Sequence, residues 1–179
     1  AIGFINSALL FPLLLDPNQI GLLGVLVAMT NMIGRFGLLG FPLVTTRLFP
    51  YFRDNKNNGN NGFFKLFLIF TFAGVLISTI IFFSMKGYII ENNIDKSPLL
   101  ANNVYYILPL LFFFIFKIAF DSYYNVNFKA STATLIKDFL VKLIILSGLG
   151  LLYLNIIDFD VFLNIYIIAF VSPGILMFL

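Results

Sequence analysis

Cysteine and histidine are both absent from the 179 residues. Their absence excludes thiolate and imidazole metal sites, Cys–His nucleophile pairs and Ser–His triads. It also excludes disulfides, so the redox compartment cannot be read this way. Charge is scarce as well: 11% of the residues are charged, where an ordinary soluble domain has about a quarter. What is present instead is 60% hydrophobic residues and a mean hydropathy of +1.00. Five long apolar blocks and a shorter one at the start leave no room for a water-facing surface. The composition therefore predicts an all-α integral membrane protein. The net charge of +3 then bears on topology rather than on nucleic acid, and no nucleic-acid partner, cofactor or metal is expected.

The chain is organised around Asp16 to Arg53. A polar turn, Asp16-Pro17-Asn18-Gln19, opens a long apolar run that ends in Arg47 and Arg53. A bilayer needs roughly 20 such residues, yet Asn31 and Arg35 sit near the middle. Gly24, Ala28, Asn31 and Arg35 are spaced by four, three and four, which places them on one helical face. A small, polar and charged stripe of this kind should face other helices or water inside the membrane rather than lipid.

Six helices are predicted, at about 1–15, 20–49, 63–85, 104–124, 131–155 and 159–179. In the first, Gly3, Asn6 and Leu10 share a face. Fifteen residues reach only about 22 Å as helix, short of a ~30 Å hydrocarbon core. That shortfall, with Ala1 and Leu179 both in apolar sequence, suggests a fragment cut inside its first helix and inside or just after its last. Asp16 or Asn18 caps the second helix, and Pro42 kinks it by removing a hydrogen bond. The segment Arg53–Gly62 is Asn- and Gly-rich loop. Lys86–Asn103 is expected to be a polar loop with one turn near Ser97-Pro98. Ser172-Pro173-Gly174 is expected to break or kink the sixth helix. Tyr105, Tyr106, Tyr123 and Tyr124 flank the fourth helix as an interfacial belt.

Arg47, Arg53, Lys56 and Lys65 surround the second connection, and Lys129 lies in the fourth, with Lys137 not far beyond it. The other connections carry Asp16, a balanced set of Lys86, Glu91, Asp95 and Lys96, and then Asp158 and Asp160. The positive-inside rule makes the N-terminus and the 2–3 and 4–5 loops cytoplasmic.

Arg35 is the sharpest residue. One reading is a cationic contact for an anionic substrate in a central cavity. The other is an interhelical pair with Asp121 or Asp138. Charges at membrane depth cost roughly 2.5–3.5 kcal/mol on insertion scales, and are retained chiefly for function. Asn31 is either a substrate contact or a tie between helices. Lys117 and Asp121, four apart, share a face. Lys137, Asp138 and Lys142 follow in the next helix, and together with Asp121 they form an ion-pair or coupling cluster.

The runs Ala8–Met29 and Gly37–Asp54 resemble the first two helices of bacterial polysaccharide or oligosaccharide flippases. These are the Wzx-like, RfbX-type members of the multidrug/oligosaccharidyl-lipid/polysaccharide (MOP) exporter superfamily. The family's "L-S-P-x-x-x-G" turn stands here as Leu15-Asp16-Pro17-Asn18-Gln19-Ile20-Gly21, with Asp16 in place of the serine. Its "G-L…R-x-x-P" is matched by Gly40 and then Arg47-Leu48-Phe49-Pro50. The segment Phe120–Lys142 looks like the family's turn between helices 4 and 5. The resemblance covers the chain as the N-terminal half of a family member. It implies one six-helix lobe of a MATE/MOP-like two-lobe transporter, with the remainder of the chain as second lobe. It further implies a substrate of undecaprenyl-pyrophosphate-type, lipid-linked oligosaccharide, its acyl tail left in membrane lipid, moved across the bacterial inner membrane by alternating access. It gives Arg35, and more weakly Asn31 and Lys117, a place in a cationic cavity that binds phosphate. No enzyme activity is expected. A membrane-embedded glycosyl- or acyltransferase would need a histidine or catalytic carboxylate near a long loop. A multidrug or organic-cation exporter of the same superfamily would favour acidic cavity residues, and the acids at membrane depth, Asp121 and Asp138, sit close to lysines. A non-transporting structural membrane subunit would leave the Asn31–Arg35 stripe unexplained.

Overall fold

The computed structural model describes residues 2–52, 62–93, 97–126 and 139–178. Lys137 and Asp138 fall outside them. Among the described residues every regular element is helical. The first helix is a composite of α1 (Ile2–Phe4), a π-helical stretch (Ile5–Leu10) and α2 (Phe11–Leu14). Phe11 N–H donates to the Asn6 carbonyl five residues back, directly before Pro12, which has no N–H to give. Asn6 is buried and donates from Nδ2 to the Lys142 carbonyl at 3.0 Å, so the inward-facing amide holds this helix to a later one.

Asp16 starts α3 (Pro17–Leu38). Its N–H donates to Gln19 Oε1 at 3.0 Å, one arm of a capping box. The helix does not run on to Phe49 with a kink at Pro42. It stops at Leu39 (φ 48°) and Gly40 (φ 76°), and a separate α4 (Phe41–Phe52) follows. Gly40 supplies the left-handed backbone cheaply. Pro42 falls in the first turn of α4, where its missing N–H costs nothing.

α5 (Phe63–Asn93) extends eight residues beyond the expected end at Met85. In its polar end Asn92 and Asn93 donate to the Tyr88 and Ile89 carbonyls, and Lys86 Nζ meets the Tyr105 hydroxyl. At ~1.5 Å per residue it is about 46 Å long, so its polar turns extend beyond a ~30 Å hydrocarbon core. The expected loop up to Asn103 is likewise partly helical. α6 (Pro98–Asn103), a 3₁₀ turn (Val104–Tyr106) and α7 (Ile107–Val126) form one run.

α8 (Val141–Tyr153) and α9 (Phe159–Phe178) complete the described chain. α9 passes through Pro173 without the expected break. The proline leaves the Ala169 carbonyl without its i+4 donor, and the Ser172 hydroxyl fills that place at 2.8 Å. Gly174 lets α9 approach α7 closely: a Cβ there would lie 2.8 Å from the Phe113 carbonyl oxygen.

α7 is the hub, packed against α3, α4, α5 and α9, while α8 joins α9 to the first helix. Two apolar clusters result. The larger runs through α3, α7, α8 and α9, with Leu26, Ile107, Leu149 and Phe162 at its centre. The smaller sits at one end, where α4 packs on the start of α5 and the end of α7 through Phe41, Phe49, Phe67 and Phe120. Three helical runs, Pro17–Leu38, Phe63–Asn93 and Pro98–Val126, are long and apolar enough to cross a membrane by length and composition. Shorter apolar helices cover Ile5–Leu14, Val141–Tyr153 and Phe159–Ile175. This fits a helical membrane protein.

Candidate functional site

The break at Leu39-Gly40 separates the two apolar clusters, and a cavity opens beside it. The cavity measures about 590 Å³, within the usual range of about 300–1,000 Å³ for small-molecule sites. α3 contributes Asn31, Arg35 and Leu38, and the break contributes Gly40. α4 contributes Pro42 and Leu43, and α7 contributes Phe114, Lys117 and Asp121. Two cations and one acid thus share one space.

Arg35 is exposed and makes no hydrogen bond or ion pair with any described residue. It is therefore not tied to Asp121, the first of the two interhelical partners proposed from the sequence; Asp138, the second, lies outside the described residues. Its five N–H donors are available to a planar or tetrahedral anion. Asn31 is half-buried and donates from Nδ2 to the Val27 carbonyl at 2.7 Å, one turn back along its own helix. Its Oδ1 is left as an acceptor. Lys117 and Asp121 lie one turn apart on α7, both half-buried and both in the cavity wall.

Lys142 stands elsewhere. Its side chain lies against the first helix, where a Cβ on Gly3 would come within 3.2 Å of Lys142 Cε. Of the expected ion-pair cluster, then, Asp121 is in the cavity, Lys142 is beside Gly3, and Lys137 and Asp138 lie outside the described residues.

A second chamber of about 210 Å³ adjoins the first and shares Asn31, Phe114 and Lys117 with it. The remainder of its wall is Val27, Thr30, Leu110 and Phe170. Phe114 stands between the two spaces because α3 carries glycine at 34: a Cβ there would lie 2.6 Å from Phe114 Cδ1. Sequence reasoning passed over Phe114, Thr30 and Phe170. Phe114 lies three residues before Lys117, so the register of α7 could have placed it, whereas Phe170 joins the site only through tertiary packing.

No protein-family model, curated protein or solved structure matches the chain. The chemistry of the site therefore rests on its own geometry. That geometry brings the Arg35 guanidinium, the Lys117 ammonium, the Asn31 amide and the Asp121 carboxylate to one space, with Arg35 in the last turn of α3 rather than in the middle of a longer helix.

Proposed function

We propose that this chain is the N-terminal, six-span lobe of a flippase that moves lipid-linked oligosaccharide or polysaccharide repeat units across the bacterial inner membrane. The observation that carries the reading is Arg35: a guanidinium without a partner among the described residues, facing a cavity it shares with Lys117. Arg35 stands in the last turn of α3, beside the break, where an anion entering the cavity would meet its guanidinium. Guanidinium binds phosphate oxygens bidentately, and the contact strengthens away from bulk water. The pyrophosphate would lie at Arg35, the glycan in the cavity and the prenyl tail in lipid. Gly24 and Ala28 continue the Arg35 face of α3 and are exposed, and a second lobe would face this stripe and rock against it. In this reading the N-terminus and the loops after α4 and α7 are cytoplasmic, and the chain is not an enzyme. Asp121 in the same cavity favours organic-cation export as the second reading.

Complementation tests this. The full-length gene, as wild type and as Arg35→Ala, is placed in a strain lacking its own O-antigen or capsule flippase. Wild type is expected to restore surface glycan, and Arg35→Ala to fail although inserted and abundant. Restoration by both would make Arg35 structural. Restoration by neither, with cation efflux in drug assays, would replace the flippase reading with the second one.

A further inference from the structure

The smaller chamber shares Asn31 and Lys117 with the main cavity, lacks Arg35 and Asp121, and adds Thr30. Its Thr30 hydroxyl is committed as a donor to the Leu26 carbonyl at 2.8 Å. Its Asn31 amide N–H is committed to Val27 at 2.7 Å. What remains free on both side chains is acceptor capacity, the Thr30 Oγ1 lone pairs and Asn31 Oδ1. An ionised pyrophosphate diester has no hydrogen to give to these acceptors, and a bare hydrocarbon gains nothing from them. A group that carries O–H or N–H on a partly apolar frame suits them. Lys117 stands where the two spaces adjoin, and the remaining wall is apolar: Val27, Leu110, Phe114 and Phe170 offer two aromatic rings and two aliphatic chains. The volume, about 210 Å³, corresponds to several waters at ~30 Å³ each, the scale of a single ring.

We propose that this chamber is a separate subsite for the uncharged, hydroxyl-bearing ring joined directly to the anion, with Phe114 as its size-setting wall. The inference rests on the flippase reading, in which that ring is the first sugar of the lipid-linked glycan. Lys117 and Asn31 belong to both spaces, so an anion at Arg35 places its nearest substituent at the chamber mouth. Glycine at 34 lets an edge of the Phe114 ring lie against α3, and an alanine there would press on the ring at 2.6–2.8 Å and shift the wall.

The test is calorimetric titration of the full-length protein in nanodiscs with inorganic phosphate and with three sugar 1-phosphates (glucose, galactose and N-acetylglucosamine). The tightest sugar phosphate is expected to bind about fivefold better than inorganic phosphate, the scale of one aromatic contact. Phe114→Ala and the near-isosteric Thr30→Val should bring that ratio close to one, and Thr30→Val, at a residue that does not line the main cavity, should leave inorganic phosphate unchanged. Arg35→Ala should weaken every probe alike. The chamber assignment is overturned if no sugar phosphate exceeds inorganic phosphate, or if the ratio survives both Phe114→Ala and Thr30→Val, while Arg35→Ala still weakens phosphate. If phosphate binding is absent or indifferent to Arg35→Ala, the flippase reading itself falls, and the chamber assignment with it.

Discussion

α3 and α5 pack side by side, and both are long and apolar enough to cross a bilayer, but they dispose of their polar groups in opposite ways. α5 turns them inward. Thr71, Gly74 and Ser78 lie on its buried face, while Ile69, Leu76, Ile80 and Phe83 are exposed. Thr71 satisfies itself on the Phe67 carbonyl, and Ser78 reaches across to the Ile33 carbonyl of α3 at 3.4 Å. α3 instead leaves Gly24, Ala28 and Arg35 exposed and Asn31 half-buried, and fills its core with Leu22, Leu23, Leu26 and Ile33. α5 is built inside-out, as a lipid-facing helix must be when apolar side chains gain nothing by hiding from hydrocarbon. α3 buries Thr30 as α5 buries Thr71, but leaves a small and charged face exposed. The lesson is that hydropathy alone does not separate a packing helix from a site-bearing one; the position of the few polar residues around the helix does.

The seam between them is the place to break the comparison hardest. A Cβ on Gly37 would lie 1.8 Å from Ser78 Oγ and 2.8 Å from the Gly74 carbonyl. Gly37→Leu should therefore cost at or above the top of the roughly 1–3 kcal/mol typical of overpacking, read as loss of monodisperse protein and of the thermal transition in detergent. Gly21→Leu, where nothing lies within 4 Å of the Cβ, is the matched control and should leave the transition in place.

Placing the same charge on both exposed faces sharpens the contrast. Leu76→Asp puts a carboxylate on the lipid side of α5 and should lower membrane insertion by about 3 kcal/mol, the translocon scale for a mid-helix charge. Ala28→Asp, on the α3 stripe, should cost clearly less in the same glycosylation-mapping assay. Equal penalties would mean that the α3 face also meets lipid.

Smaller effects are expected at the break. Gly40→Ala forces a side chain onto φ 76° and should lose about 1 kcal/mol, whereas Leu39→Gly should recover a similar amount by relieving φ 48°, on the ~1–2 kcal/mol scale of left-handed backbone. Chemical denaturation of the two variants reads both signs. The smallest effect belongs to Arg35→Ala. With no described partner to lose, it should shift unfolding by less than about 0.5 kcal/mol. A drop several times larger would make Arg35 a packing residue.

Much of this was legible beforehand. Composition gave the all-helical class and apolar periodicity gave the helices, because both report how side chains partition between lipid and protein. The Gly24–Ala28–Asn31–Arg35 stripe followed from 3.6-residue spacing. The break was readable but misread: Gly40-Phe41-Pro42 has glycine just past one helix and proline in the first turn of the next, and weighing Pro42 alone put the bend in the wrong place. At Pro173 the expected break does not occur, since Ser172 supplies the hydrogen bond that the proline removes. The extension of α5 to Asn93 was missed because its polar side chains bond to its own backbone, which composition does not reveal.

The sequence by itself determined that the chain is helical, that it is apolar enough to span a membrane, and that one helix carries an arginine on a small-residue face. These are properties of single helices, fixed by local hydrogen bonding and by the burial preference of each side chain. Only the tertiary structure decided that α7 is the hub, that Lys117 and Asp121 line the same cavity as Arg35 while Lys142 lies against Gly3, and that Phe114 and Phe170 help wall a chamber beside it. Those facts depend on contacts between helices far apart in the chain, where one glycine, Gly34 or Gly37, sets how closely two backbones approach.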